Sequence, residues 1–206
     1  MQLRFETSFT SKEYVTHQAW RDATLERCPL HPAGGCSFAR HGTYERVNPP
    51  GTQVPRWYCP EGHCTFSLLA DCFAARLSGS LQEVEAVVVA AEQAASREAA
   101  ADELRLDIEL PGALRWLRRR LQAVHTALTL ILGLFPDLFA GCPPTVSAFA
   151  QRLGIDSVLA ALRETAEAQL QQLPPPLGFR PPSARGGDSN QPYQHQAGPD
   201  PPRIIA

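Results

Sequence analysis

The sequence predicts an α+β chain, with a small β-containing N-terminal part followed by an all-α helical bundle and a disordered Pro-rich tail. Three observations carry this. Five of the six cysteines fall within residues 21–77. Residues 79–173 are rich in Ala and Leu, with apolar side chains at helical spacing. Residues 174–206 hold 9 of the 19 prolines, too little apolar surface to offset the entropy of ordering. Residues 1–20 read as a polar, irregular segment, which gives four regions in all.

The bulk composition sets limits on function. A chain of 206 residues with 44% hydrophobic and 19% charged content can bury a core over most of its length. A net charge of −2 excludes a uniformly basic coat, though not a local basic face. Lys12 is the one lysine among 19 basic residues, and with so much Ala and Pro this composition points to a GC-rich bacterial genome. No segment has 18 consecutive apolar residues, so no membrane span is expected. The start, "MQLRFETSFTSKEYVTHQAW", has no apolar stretch of signal-peptide type, and a cytoplasmic location follows. In a reducing compartment, cysteines clustered with histidines bind metal more often than they form disulfides.

Two short stretches supply the metal-ligand chemistry. "CPLHPAGGC" contains Cys28, His31 and Cys36, and "CPEGHC" contains Cys59, His63 and Cys64. A structural zinc site takes four soft or borderline donors in a tetrahedron, usually delivered by two such knuckles. Between them Tyr44, Arg46 and Val47 alternate like a strand, residues 48–51 carry turn chemistry, and Gln53 to Tyr58 return as a second strand. A β-hairpin joining two knuckles is the layout of a zinc ribbon. Two ligand sets satisfy the tetrahedron: Cys28, Cys36, Cys59 and Cys64, or a mixed set in which His31 or His63 replaces one thiol. The four cysteines are preferred because thiolates are the softer donors and each knuckle opens with Cys-Pro. Cys72 and Cys142 lack knuckles and read as buried thiols.

The helical region begins with Ser80 and Glu83 in capping-box spacing ahead of Leu81, Val84 and Val88. Ser96 caps a short second helix, "REAAADELR". Pro111 suits the first turn of a third, which carries Leu114, Leu117, Leu121, Val124, Leu128, Ile131 and Phe135 in a heptad seam and stops before Pro136. Thr145 opens "TVSAFAQRLG", with Gly154 as its C-terminal cap, and Asp156 is expected to cap the last helix. Opposite the seam of the third helix lie Arg115, Arg118, Arg119, Gln122 and Thr126. Arginines with a glutamine on an outward face suit phosphate contact and base-edge reading. Ala100, Leu104, Leu114 and Leu117 can form the small core of a helix-turn-helix-like segment.

"RWYCPEGHCTFSLL" and "RHGTYERV" together resemble the zinc ribbons at the N-termini of bacterial insertion-sequence transposases. There an aromatic-basic strand leads into Cys-Pro and a Thr-Phe-Ser follows. The resemblance covers about residues 25–70, and the wide knuckles of this chain depart from the family pattern. It implies a structural Zn2+ and helix-turn-helix DNA-binding segments after the ribbon. The expected function is therefore that of a non-catalytic, zinc-dependent DNA-binding protein of a mobile element, either associated with or derived from a transposase. Double-stranded DNA is the expected partner, contacted by Arg115, Arg118, Arg119 and Gln122, with Arg46 and Arg56 on the ribbon hairpin. A separately encoded transposase and a homodimer through the 114–135 helix are further partner expectations. The alternative is a protein–protein adaptor or transcriptional regulator. A catalytic DDE-type transposase is not expected, because after residue 77 no strands alternate with helices to gather its carboxylates. A zinc-dependent hydrolase ranks last, because a catalytic zinc needs an open position and a nearby base, and the candidate base, Glu61, lies inside a knuckle.

Overall fold

The computed structural model describes residues 1–180 and shows a mixed α+β fold with four strands and six α-helices. The strands are β1 (Gln2–Phe5), β2 (Ala39–Arg46), β3 (Thr52–Cys59) and β4 (Cys64–Ala70), in the order β1-β4-β3-β2. The last three form an antiparallel meander, and β1 lies parallel to β4 at the edge. The expected hairpin is β2–β3, turned at Gly51 with φ 78°. The third strand of the meander was hidden in the apolar run after Cys64. Phe66 and Leu68 face a small cluster with Trp57 and Cys59, while Leu69 faces the main core with Val54. A strand buried on both faces loses polar alternation, the usual signature of a strand in sequence.

The N-terminal segment is ordered, which corrects the expectation of a polar, irregular stretch. β1 is tied to the end of β4 by the Arg4–Asp71 ion pair at 2.8 Å. Thr10 and Glu13 then form a capping box that starts helix α1 (Ser11–Thr16). That helix buries Tyr14, whose hydroxyl donates to the Gln53 carbonyl at 3.0 Å. Arg40 of β2 reaches back to the Trp20 and Arg21 carbonyls at 2.8 and 3.2 Å, fastening the following turn to the sheet.

The helical half follows the sequence closely. Its helices are α2 (Leu81–Gln93), α3 (Arg97–Leu104), α4 (Leu110–Leu134), α5 (Val146–Leu153) and α6 (Val158–Thr165). Ser80 and Glu83 form the predicted capping box, Ser96 and Thr145 cap α3 and α5, and Gly154 takes the left-handed C-cap conformation. Asp156 does not cap α6. Its first amides, on Val158 and Leu159, donate instead to the Glu85 carboxylate at 2.9 and 2.8 Å. One face of α2 thus serves two helix starts, since Glu92 accepts from the Val146 and Ser147 amides at the start of α5. A carboxylate is favoured at a helix N-terminus by the free amides and the helix dipole, and here both come from a distant element.

The α4 seam is spent on the chain's own core. Leu117, Val124, Leu128 and Ile131 are buried, with Val124, Leu128 and Ile131 packed among residues of α2, α5 and α6. Leu117 joins Ala100, Ala101 and Ala113 in a smaller cluster against α3, with Leu104 and Leu114 at its rim. The core also runs past the expected boundary at Leu173. Leu177 and Phe179 are buried, and Arg163 of α6 binds the carbonyls of Pro176 and Leu177. Pro-rich composition concealed this strap. The disorder expected for the rest of the tail, residues 181–206, lies outside the described residues.

Candidate metal centre

Both knuckles sit at one end of the sheet. The second is the turn between β3 and β4, closed by the register pair Cys59–Cys64. The first is an isolated bridge between Cys28 and His31, tightened by the His31 amide donating to the Cys28 carbonyl at 3.1 Å. This Cys-x2-His turn has ordinary knuckle spacing, legible in "CPLH", and His31 is one of the two histidines of the mixed set. Gly34 and Gly35, at φ 86° and 87°, then turn the chain back so that Cys36 returns to the site.

The structure gathers Cys28, His31, Cys36 and Cys59, whose ligand atoms all lie within 4.8 Å of one another. His31 Nδ1 is 3.5 Å from Cys28 Sγ and 3.4 Å from Cys59 Sγ. Zinc–sulfur bonds of about 2.3 Å in a tetrahedron place neighbouring donors roughly 3.8 Å apart, so these separations suit one metal ion. The mixed set is therefore the one the fold brings together, with His31 in the place expected for a fourth thiol. Cys64 lies outside the group, and its thiol donates to the Thr65 carbonyl at 3.9 Å. His63 is exposed at the tip of the turn with φ 45° and is also outside it.

Hydrogen bonding prepares the donors. The Gly62 amide donates to Cys59 Sγ at 3.3 Å, which fixes the position of that sulfur at the turn. Burial pushes the Cys28 thiol up, but hydrogen bonds with His31, the Leu30 and His31 backbone and Cys59 outweigh it and lower the thiol to about 7. Burial together with the neighbouring Cys28 pushes Cys36 up to about 11, so a metal ion would displace its proton on binding. Glu61 holds the two knuckles together. Its carboxylate accepts from the Ser37 amide at 3.1 and 3.2 Å, a contact that also keeps it below the usual carboxylate range. The carboxylate considered as a hydrolytic base is thus engaged on the backbone next to Cys36.

Beneath the knuckles Ala23, Cys28, Trp57, Cys59, Phe66 and Leu68 form a cluster of six buried residues. Cys72 and Cys142, expected as buried thiols, are half-buried and away from the group, with burial pushing Cys72 up to about 12.

The residues expected to touch DNA divide into two kinds. Arg115, Arg118, Arg119 and Gln122 are exposed on α4, and none of the three arginines has an ion-pair partner among the described residues. Arg46 and Arg56 are tied into the fold. The Arg46 guanidinium donates to the carbonyls of Ala74, Leu77 and Gly79 at 3.1, 2.8 and 3.3 Å and lies over the Phe73 ring. Arg56 donates to the Thr43 carbonyl at 3.3 Å and lies over Tyr44. Arg120, between the exposed arginines in sequence, is buried against Trp116 and donates to the Ser78 carbonyl at 3.2 Å. Among the described residues no helix is long and apolar enough to cross a membrane.

Comparison with protein-family models, with curated proteins and with solved structures finds no match.

Proposed function

We propose that the chain is a non-catalytic DNA-binding protein whose N-terminal knuckles hold a structural Zn2+ in a Cys3His site and whose α4 helix contacts the duplex. Three thiolates and one imidazole are the donor chemistry of structural zinc, and a closed set of four leaves no open position for substrate. In this reading β2, β3 and the two knuckles are the zinc ribbon, and α3 and α4, joined through residues 105–109, form the helix-turn-helix-like segment. The likeness of residues 25–70 to transposase ribbons supports a role in a mobile element.

The observation that carries DNA contact is the set of exposed arginines on α4 that have no ion-pair partner among the described residues. Each phosphate contact releases a condensed counterion, so affinity should fall with salt at a log–log slope of about −0.9 per contact. Arg115→Ala, Arg118→Ala and Arg119→Ala, measured by fluorescence anisotropy on duplex DNA, should each weaken binding, shallow the slope by about one and leave stability unchanged. Arg46→Ala should instead lower stability, because three carbonyls lose their donor. Parent-like affinity and salt slope in all three α4 variants would remove DNA contact from α4 and favour the adaptor reading.

A further inference from the structure

We propose that Cys59 and Cys64 are a thiol–disulfide pair, and that their oxidation by a peroxide opens the metal centre. The proposal rests on the metal reading but not on DNA binding. Cys59 is one of the four gathered donors and Cys64 is not. Yet the two are direct register partners at the closed end of the β3–β4 hairpin. Residues directly opposite on antiparallel strands point to the same face, and their Cα atoms lie about 4.5–5.5 Å apart, inside the span a disulfide bridges. Packing agrees with a shared face, since Cys59 belongs to the buried cluster with Trp57 and Phe66 and the half-buried Cys64 packs against that cluster. A cysteine left out of the metal set is thus placed beside one inside it, and it is the more accessible of the two: Cys64 is half-buried and Cys59 fully buried.

The chemistry balances with hydrogen peroxide as the oxidant. The Cys64 thiolate attacks one peroxide oxygen, the O–O bond breaks, and the products are a sulfenic acid and hydroxide. The Cys59 thiolate then attacks the Cys64 sulfur, the S–O bond breaks, and a second hydroxide leaves as the disulfide forms. The two sulfurs lose two electrons in all; one hydroxide takes up the Cys64 thiol proton and the other a proton from solvent, since Cys59 enters as the metal-bound thiolate. Cys59 can no longer donate as a thiolate, so the metal keeps three of its four donors and dissociates. Reduction by a dithiol returns both thiols and restores the site. Cys28 and Cys36 stay reduced in this sequence.

The test uses the full chain loaded with zinc under reducing conditions and then freed of reductant. Hydrogen peroxide is added with a chromogenic zinc chelator present, and the products are mapped by non-reducing peptide mass spectrometry after cleavage at Glu61. That cut separates Cys59 from Cys64, so a disulfide between them holds the two fragments together. The expected result is zinc release accompanied by that linked pair, reversed by dithiothreitol, with Cys64→Ser binding zinc like the parent but releasing it about tenfold more slowly. Equal release rates in parent and Cys64→Ser would overturn the proposal, as would a disulfide that joins Cys28 to Cys36 in place of the predicted pair. Failure of the reduced parent to bind zinc would overturn the metal centre itself, which the loading step reads separately.

Discussion

If the Cys3His site holds zinc as proposed, its removal should unfold the knuckle end of the sheet and lower the stability of the fold. Structural zinc contributes on the order of 10–16 kcal/mol in small zinc modules, comparable with or above the roughly 5–15 kcal/mol of net stability in an ordinary domain. The cluster beneath the knuckles has six buried residues, two of which are the donors Cys28 and Cys59. Without the ion, little apolar burial remains to order residues 23–38. The helical half has its own core around Leu128, Ile131, Phe149 and Leu159, so its helices should survive the loss in part. Chelation should therefore abolish the near-ultraviolet circular dichroism from Trp57 while much of the helical far-ultraviolet signal remains. His31→Ala and Cys59→Ser should reproduce the apo spectrum, and Cys64→Ser should not. An apo protein with the spectrum and melting temperature of the loaded one would remove any structural role for the metal.

Loss of the Arg163 guanidinium is the second large effect. The side chain is 1% exposed and has no ion-pair partner among the described residues. Its donors reach four backbone carbonyls: Leu177 at 2.9 Å, Asp71 and Phe73 at 2.8 Å each, and Pro176 at 2.6 Å. It therefore joins α6, the segment after β4 and the C-terminal strap. Burial lowers its pKa to about 10, still charged at neutral pH. Hydrogen bonds from a charged donor contribute about 1.5–3 kcal/mol each, and the carbonyls of Phe73 and Leu177 would be stranded away from water. Arg163→Met keeps the bulk and removes every donor, and should cost about 4–5 kcal/mol in urea denaturation, at the upper end for one substitution. Ending the chain at Leu173 should cost a similar amount, because it deletes Leu177 and Phe179 with the two carbonyls. A cost below about 1 kcal/mol for both changes would mean that the strap does not hold the core together.

The two predictions rest on features that were unequally legible in the sequence. Local rules placed the helices, since a cap such as Ser80 with Glu83, or Gly154 after "QRL", is written in contiguous residues. Tertiary caps were not legible. Glu85 lies 73 residues from the amide of Val158 that it satisfies, so nothing near Asp156 marks it as idle. The strap was missed because prolines dominate its composition, whereas its two buried side chains, Leu177 and Phe179, decide its fate. The N-terminal helix was legible in Thr10 and Glu13 and was lost to the polar character of its surroundings. For the arginines, sequence gives charge but not employment. Arg46 and Arg115 look alike until one is found on three carbonyls and the other in solvent.

At the candidate metal centre donor softness favours four cysteines, whereas the fold gathers Cys28, His31, Cys36 and Cys59. Cys64 begins β4 directly opposite Cys59, a position fixed by the sheet register, while the short Cys28–His31 turn and the return at Gly34 and Gly35 bring the imidazole and Cys36 to the site. X-ray absorption at the zinc edge of the loaded, reduced protein tests this most directly. The Cys3His site predicts three sulfur scatterers at about 2.3 Å and one nitrogen at about 2.0–2.1 Å. A shell of four sulfurs with no nitrogen would return Cys64 to the ligand set and contradict both the assignment of His31 and the role given to Cys64 outside it.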